Sequence, residues 1–215
     1  GCGINGLIRR LKDMRFSVGN CRFEISFWFA AVVCLWLFMD TSGTFLAGIC
    51  AAFFHEAGHI AAILLCRRRI ISIRLSVFGA EIRQDSNANE SLKRDIAVSL
   101  AGPLMNLLLF LIFWGFSGNP LFPFAIANLA LALANLVPAE PLDGGQALYS
   151  FLCLHINENT ALRLLEWVSF FSLIPLGICG FLLVFRSVYN FSLLFFSIYG
   201  VFYLVLKRRE ALRNF

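Results

Sequence analysis

Three side chains in one apolar string, AFFHEAGHIAA at residues 52–62, could do chemistry together: His55, Glu56 and His59. On a helix, residues four apart are offset by about 40° around the axis, so His55 and His59 present two imidazoles on one face, one turn apart. Two ring nitrogens can then meet one ion. Zn2+ suits imidazole and carboxylate ligands, and a catalytic zinc takes three protein ligands and keeps a fourth position for water. Glu56, next to the first histidine, is placed to receive that water's proton. This is the H-E-x-x-H arrangement, in which the metal lowers the pKa of water and the glutamate is the general base.

The third ligand must come from elsewhere. Asp143 and His155 are the candidates, and Glu140 shares the stretch NLVPAEPLDGG (135–145) with Asp143. Pro138, Pro141, Gly144 and Gly145 break helix there and free the backbone to aim a side chain inward. That favours Asp143, although spacing alone does not exclude Glu140. His155, beside Asn157-Glu158-Asn159, reads as an interfacial histidine.

The elements that must position these groups are membrane spans. The 215 residues are 59% hydrophobic and only 14% charged, which excludes a water-soluble globular domain, a disordered chain and a coiled coil. A helical span needs about 20 apolar residues. Six segments meet that demand: about 23–39, 44–66, 96–116, 121–137, 164–185 and 191–206. The 22-residue basic lead is too long for a signal peptide, and no A-x-A site follows near Asp40. Ionisable residues inside spans are costly and mark function. His59 lies eight residues before Arg67, about 12 Å along a helix. The metal therefore sits inside the membrane toward the Arg67 side, served by a water-filled cavity open to that side.

Six spans place both ends on one face. Of the 18 Lys and Arg, 17 then share that face, leaving Arg186 on the other, so the positive-inside rule makes it cytoplasmic. The expected fold is an all-α polytopic membrane protein. It has a basic N-terminal segment (1–22), one transmembrane domain (23–206) and a basic tail (207–215). Arg9 to Arg15 reads as either a surface helix or a disordered lead. Between the second and third spans, Ile71 to Val77 alternates with period two, which is strand. Phe78-Gly79-Ala80 turns the chain and Glu81-Ile82-Arg83 returns, giving a membrane-associated β-hairpin over about 70–84. The seven cysteines form no C-x-x-C pair and read as small hydrophobes. Arg67 to Arg69 is a topology anchor at a span boundary, so no nucleic-acid partner is expected.

At these residues the chain resembles the site-2 protease family of intramembrane zinc metalloproteases. HEAGH (55–59) matches the family's H-E-x-x-H, and NLVPAEPLDGG matches its second signature. The resemblance implies zinc ligation by His55, His59 and Asp143, one ion per chain, with Glu56 as general base and Asn135 on the substrate backbone. SLAGPLMN, with Gly102 and Asn106 four apart, looks like the family's third-span pattern. It reads as close helix packing with an interhelical hydrogen bond rather than as chemistry. There is no room between spans for a PDZ domain or after them for a cystathionine-beta-synthase domain. The resemblance thus points to a minimal member, similar to the sporulation sigma-factor-processing branch, in a bacterial cell membrane with both termini cytoplasmic.

The expected activity is hydrolysis of a peptide bond in or near a transmembrane segment of a membrane protein, in regulated intramembrane proteolysis. The partners are that substrate, the bilayer and a membrane regulatory protein. A helix hides its carbonyls, so the substrate must unwind. The strand carrying Ile73, Leu75 and Val77, with Gly79 after it, could offer an edge to which the unwound chain adds. The rival reading is a metal-ion or proton transporter using the same ligands, and an idle membrane adaptor is a third.

Overall fold

The computed structural model describes residues 13–18, 21–68, 70–76, 79–84, 91–117, 119 and 122–186. Among these residues, four strands, β1 (Asp13–Val18), β2 (Cys21–Ser26), β3 (Ile70–Ser76) and β4 (Gly79–Gln84), join six helices. The helices are α1 (Phe27–Met39), α2 (Thr44–Leu65), α3 (Leu92–Ser117), α4 (Pro123–Leu136), α5 (Asp143–Cys153) and α6 (Glu158–Arg186). The chain divides into two units, Gly1–Glu90 with Met105–Leu129, and Ser91–Leu104 with Ala130–Phe215.

The first unit carries a four-stranded sheet in the order β1-β2-β3-β4. β1 with β2 and β3 with β4 are antiparallel, while β2 and β3 are parallel. Parallel neighbours need a long crossover, and α1 and α2 supply it. Period-two alternation sets the register. Phe16, Phe23, Ile73 and Ile82 stand opposite one another in one row across all four strands. The Phe16 and Phe23 rings stack with centroids 5.3 Å apart, and Ile73 at the middle of the row is buried. In the next row Glu24 is opposite Arg74. A slip of one residue would break this row and set its apolar residues against polar or charged ones.

The sheet corrects two expectations. Residues 23–26, assigned to the first span, finish β2, and Arg15, assigned to a lead, lies on β1; Arg9 to Lys12 fall outside the described residues. The signal was present in DMRFSVGNCRFEIS, two alternating runs separated by Gly-Asn, a favoured two-residue hairpin turn. The second correction follows. The 70–84 hairpin is present, but β3 is flanked by β2 and β4, so Ile73 and Leu75 do not lie on an edge; β1 and β4 are the outer strands. Gly79, expected in the turn, opens β4 opposite Ser76. Val77 and Phe78 lie outside the described residues.

The two helices long and apolar enough to cross a membrane, among the described residues, are α2 and α3. α1 has 13 residues and α4 has 14, about 20 Å each against a hydrocarbon core of about 30 Å. The expected fifth span falls within α6, and the sixth lies outside the described residues. Burial is inverted relative to a soluble protein. Phe38 and Phe116 are each 90% exposed, whereas His55, His59, Asn106, Asn128, Ser150 and Ser169 are buried. Apolar outside and polar inside is the arrangement that lipid as solvent selects. This is a mostly helical membrane protein with a small sheet.

α2 starts where Asp40 holds it. The backbone N–H groups of Phe45 and Leu46 donate to Asp40 Oδ2 at 3.0 and 3.2 Å, and the N–H and hydroxyl of Ser42 donate to Oδ1 at 3.1 and 2.9 Å. These satisfy helix N–H groups that have no partner within the helix. Desolvation pulls the Asp40 carboxyl upward, but the hydrogen bonds from Leu46, Ser42 and Phe45 together outweigh it and hold the group below its ordinary value.

Candidate metal centre

In the first unit, α2 carries His55 and His59 on one buried face. Their rings meet edge to face, centroids 4.8 Å apart and planes at 82°, with the two Nε2 atoms 3.2 Å from one another. Glu56 is half-buried on the same turn. Nδ1 of His55 lies 2.9 Å from Oδ1 of Asn106 on α3. The Asn106 amide nitrogen donates to the Ala51 carbonyl at 3.2 Å and to Asn128 Oδ1 at 3.1 Å, and Asn128 donates to the Phe124 carbonyl at 2.8 Å. The interhelical hydrogen bond expected at Asn106 is therefore present, and its partner is the first histidine. Neither the Asn106–His55 pair nor Asn128 could be assigned from the sequence, because nothing in NLALALAN marks one asparagine as facing another helix.

In the second unit, Asp143 is the first residue of α5, where a negative charge meets the positive end of the helix dipole. The chain before it folds tightly: Ala139 N–H donates to the Val137 carbonyl, Leu142 N–H to that of Ala139 and Gln146 N–H to that of Leu142. α6 braces this loop. Leu173 packs with Ala139 and Leu142, and the buried Ser169 hydroxyl accepts the Glu140 N–H at 3.0 Å. No sequence motif pointed to Ser169, a serine in an otherwise apolar run.

The glycines after Asp143 are needed for close approach. A Cβ at Gly144 would lie 2.5 Å from the Leu136 carbonyl oxygen, and one at Gly145 would lie 2.6 Å from the Ala139 carbonyl. Both obstacles are backbone, which cannot turn aside. Gly145→Ala is expected to destabilise the protein by about 1–3 kcal/mol, the usual range for overpacking. It should also lower zinc content, because the strain falls two residues from Asp143. Thermal melting and metal analysis in detergent check both.

His55 and His59 of the first unit and Asp143 of the second make up the candidate ligand group. Among the described residues this is the group suited to a metal ion. Glu140 and His155 are outside it. Glu140 is tied through its backbone to Ser169, and exposed His155 donates from Nδ1 to the Phe151 carbonyl at 3.0 Å. Asn135 is half-buried on α4, its amide nitrogen bonded to the Leu131 carbonyl at 3.0 Å.

The donor set fits zinc. Two ligands about 2.0–2.1 Å from one tetrahedral ion stand about 3.3 Å apart, close to the 3.2 Å between the histidine Nε2 atoms. The other nitrogen of His55 already has the oxygen partner that metal-binding histidines use.

No family model matches the chain. It is 31% identical over 116 residues to stage IV sporulation protein FB of Bacillus subtilis, covering 51% of this chain and 40% of that protein. It is 37% identical over 109 residues to a protein of Synechocystis sp. whose name marks it as a candidate zinc metalloprotease, covering 46% of this chain and 28% of that one. The chain thus spans less than half the length of these relatives. Among solved structures it matches the site-2 protease from Methanocaldococcus jannaschii with a TM-score of 0.62 at 20% identity, covering 87% of this chain and 93% of that one. That likeness shows the fold. The two sequence relatives are what about half of this chain is similar to.

Proposed function

We propose that the chain is an intramembrane zinc metalloprotease hydrolysing a peptide bond in or near a transmembrane segment of a membrane protein, in regulated intramembrane proteolysis. The observation that carries this reading is the pair of Nε2 atoms 3.2 Å apart on a membrane-length H-E-x-x-H helix. His55, His59 and Asp143 hold one zinc ion, which when bound polarises the scissile carbonyl and acidifies water. Glu56 takes the proton from water and returns it to the leaving amine.

Asn135 contacts the extended substrate. Because β3 is internal to the sheet and Ile73 is buried, any strand addition would use an outer strand such as β4, which Gly79 opens. Six spans with both termini cytoplasmic, in a bacterial cell membrane, complete the reading. Besides the substrate, a membrane regulatory protein is a partner.

Metal removal tests the proposal. Purified protein in detergent or vesicles should lose cleavage of a transmembrane substrate on treatment with a strong zinc chelator and regain it with one equivalent of zinc. Cleavage that persists after complete metal removal would reject zinc chemistry. Metal flux into vesicles without any cleavage would favour the transporter instead.

A further inference from the structure

The polar chain behind His55 has a direction that its ends impose. The Ala51 and Phe124 carbonyls can only accept, and an amide nitrogen can only donate. Asn128 must therefore turn its nitrogen to Phe124 and its oxygen to Asn106. Asn106 must turn its nitrogen to Ala51 and Asn128, which uses both of its protons. Its oxygen is left facing Nδ1 of His55 at 2.9 Å. An oxygen acceptor there requires the proton on Nδ1, so Nε2, the atom 3.2 Å from His59 Nε2, carries the lone pair.

We propose that Asn106 is a positioning residue that locks His55 in the Nδ1–H tautomer with Nε2 as the zinc ligand, and that Asn128 holds Asn106 in turn. The proposal rests on the zinc reading above and deepens it. Both asparagines are 0% exposed in a protein whose exterior is apolar, where a buried amide is tolerated only if its hydrogen bonds are made. Helix packing alone would be served as well by leucine, which has a similar volume and no desolvation cost. An imidazole without this partner would be distributed over two tautomers and several ring orientations, and zinc binding would have to select among them.

The test uses the full chain in detergent, with zinc affinity read by competition against a chromophoric chelator and folding read by thermal melting. Asn106→Leu should weaken zinc binding by about 10–100-fold, the usual effect of losing a histidine's outer partner. It also strands the Asn128 oxygen, so its melting point should fall. The double variant Asn106→Leu/Asn128→Leu removes that orphan and should recover the part of the melting point lost with it, since replacing both partners of a buried pair is nearly neutral, while the His55 Nδ1–H stays without the Asn106 oxygen. It should not recover zinc affinity. Asn106→Asp keeps an oxygen toward Nδ1 and should bind zinc at or above wild-type affinity even if it melts earlier.

A purely structural role predicts the opposite order: the buried carboxylate becomes the worst variant and the double leucine a full rescue. Wild-type affinity in either leucine variant, or an Asp variant as weak as Asn106→Leu, would overturn the inference while leaving the metalloprotease reading intact. A wild-type protein that binds no zinc would instead refute the reading on which it rests.

Discussion

Glu56→Gln abolishes peptide-bond hydrolysis and leaves zinc in place: that is the expected result for a purified variant assayed against a transmembrane substrate. Glutamine preserves the size and hydrogen-bonding reach of glutamate but cannot take a proton at neutral pH. A positioned general base is worth on the order of 10²–10⁴ in rate, roughly 3–5 kcal/mol of barrier. Here Glu56 is asked to act twice, first on water and then on the leaving amine, so the loss belongs at the upper end. It should appear in kcat rather than in KM, because Glu56 is assigned to proton transfer and not to holding the substrate. Zinc content should remain at one per chain, since Glu56 is not among the proposed ligands His55, His59 and Asp143. A variant that cuts at the wild-type rate would remove the general-base assignment; one that also loses zinc would make Glu56 a structural support. In cells, the substrate of the wild-type protein should accumulate uncut beside the variant, so comparing the two membrane proteomes would identify it.

The candidate site and the sheet differ in how far local sequence pattern specifies them. His55, His59 and Asp143 stand out in the sequence as candidates because ionisable groups inside an apolar run, and an aspartate amid helix breakers, have few inexpensive structural explanations. That inference needs only local spacing and the cost of burying charge. The end of β2 reads as part of a span because hydropathy windows of membrane length average over alternation. Phe23 to Ser26 is apolar enough to extend a span, yet its register partners Phe16 and Ile73 make it strand. The interior position of β3 depended on that same misassigned segment.

Asn106 shows a different limit. Its packing role was readable from the four-residue spacing with Gly102, but its partner was not, since a sequence cannot say which atom a buried amide faces. Ser169 was silent for the same reason. Its hydroxyl matters only because the Glu140 N–H, which is in no helix, arrives within 3.0 Å.

The sharpest test of the ligand set is metal content across four variants. Asp143→Ala and His59→Ala should each bind zinc more weakly, whereas Glu140→Ala and His155→Ala should keep wild-type binding. A protein zinc site is worth about 10–16 kcal/mol over its ligands, so deleting one of three costs at least about 3 kcal/mol, or 10²-fold or more in dissociation constant. Asp143 carries more than its share. It is the one anionic member of the set, and a dication held by two neutral imidazoles away from bulk water leaves its charge poorly compensated. Asp143→Asn, which keeps an oxygen of the same reach but removes the charge, should therefore bind zinc nearly as poorly as Asp143→Ala. His59→Ala leaves the carboxylate and His55 in place and should retain measurable though weakened binding. Inductively coupled plasma analysis after dialysis at graded free zinc separates these cases. Undiminished stoichiometric zinc in Asp143→Ala, or its loss in His155→Ala, would reassign the third ligand.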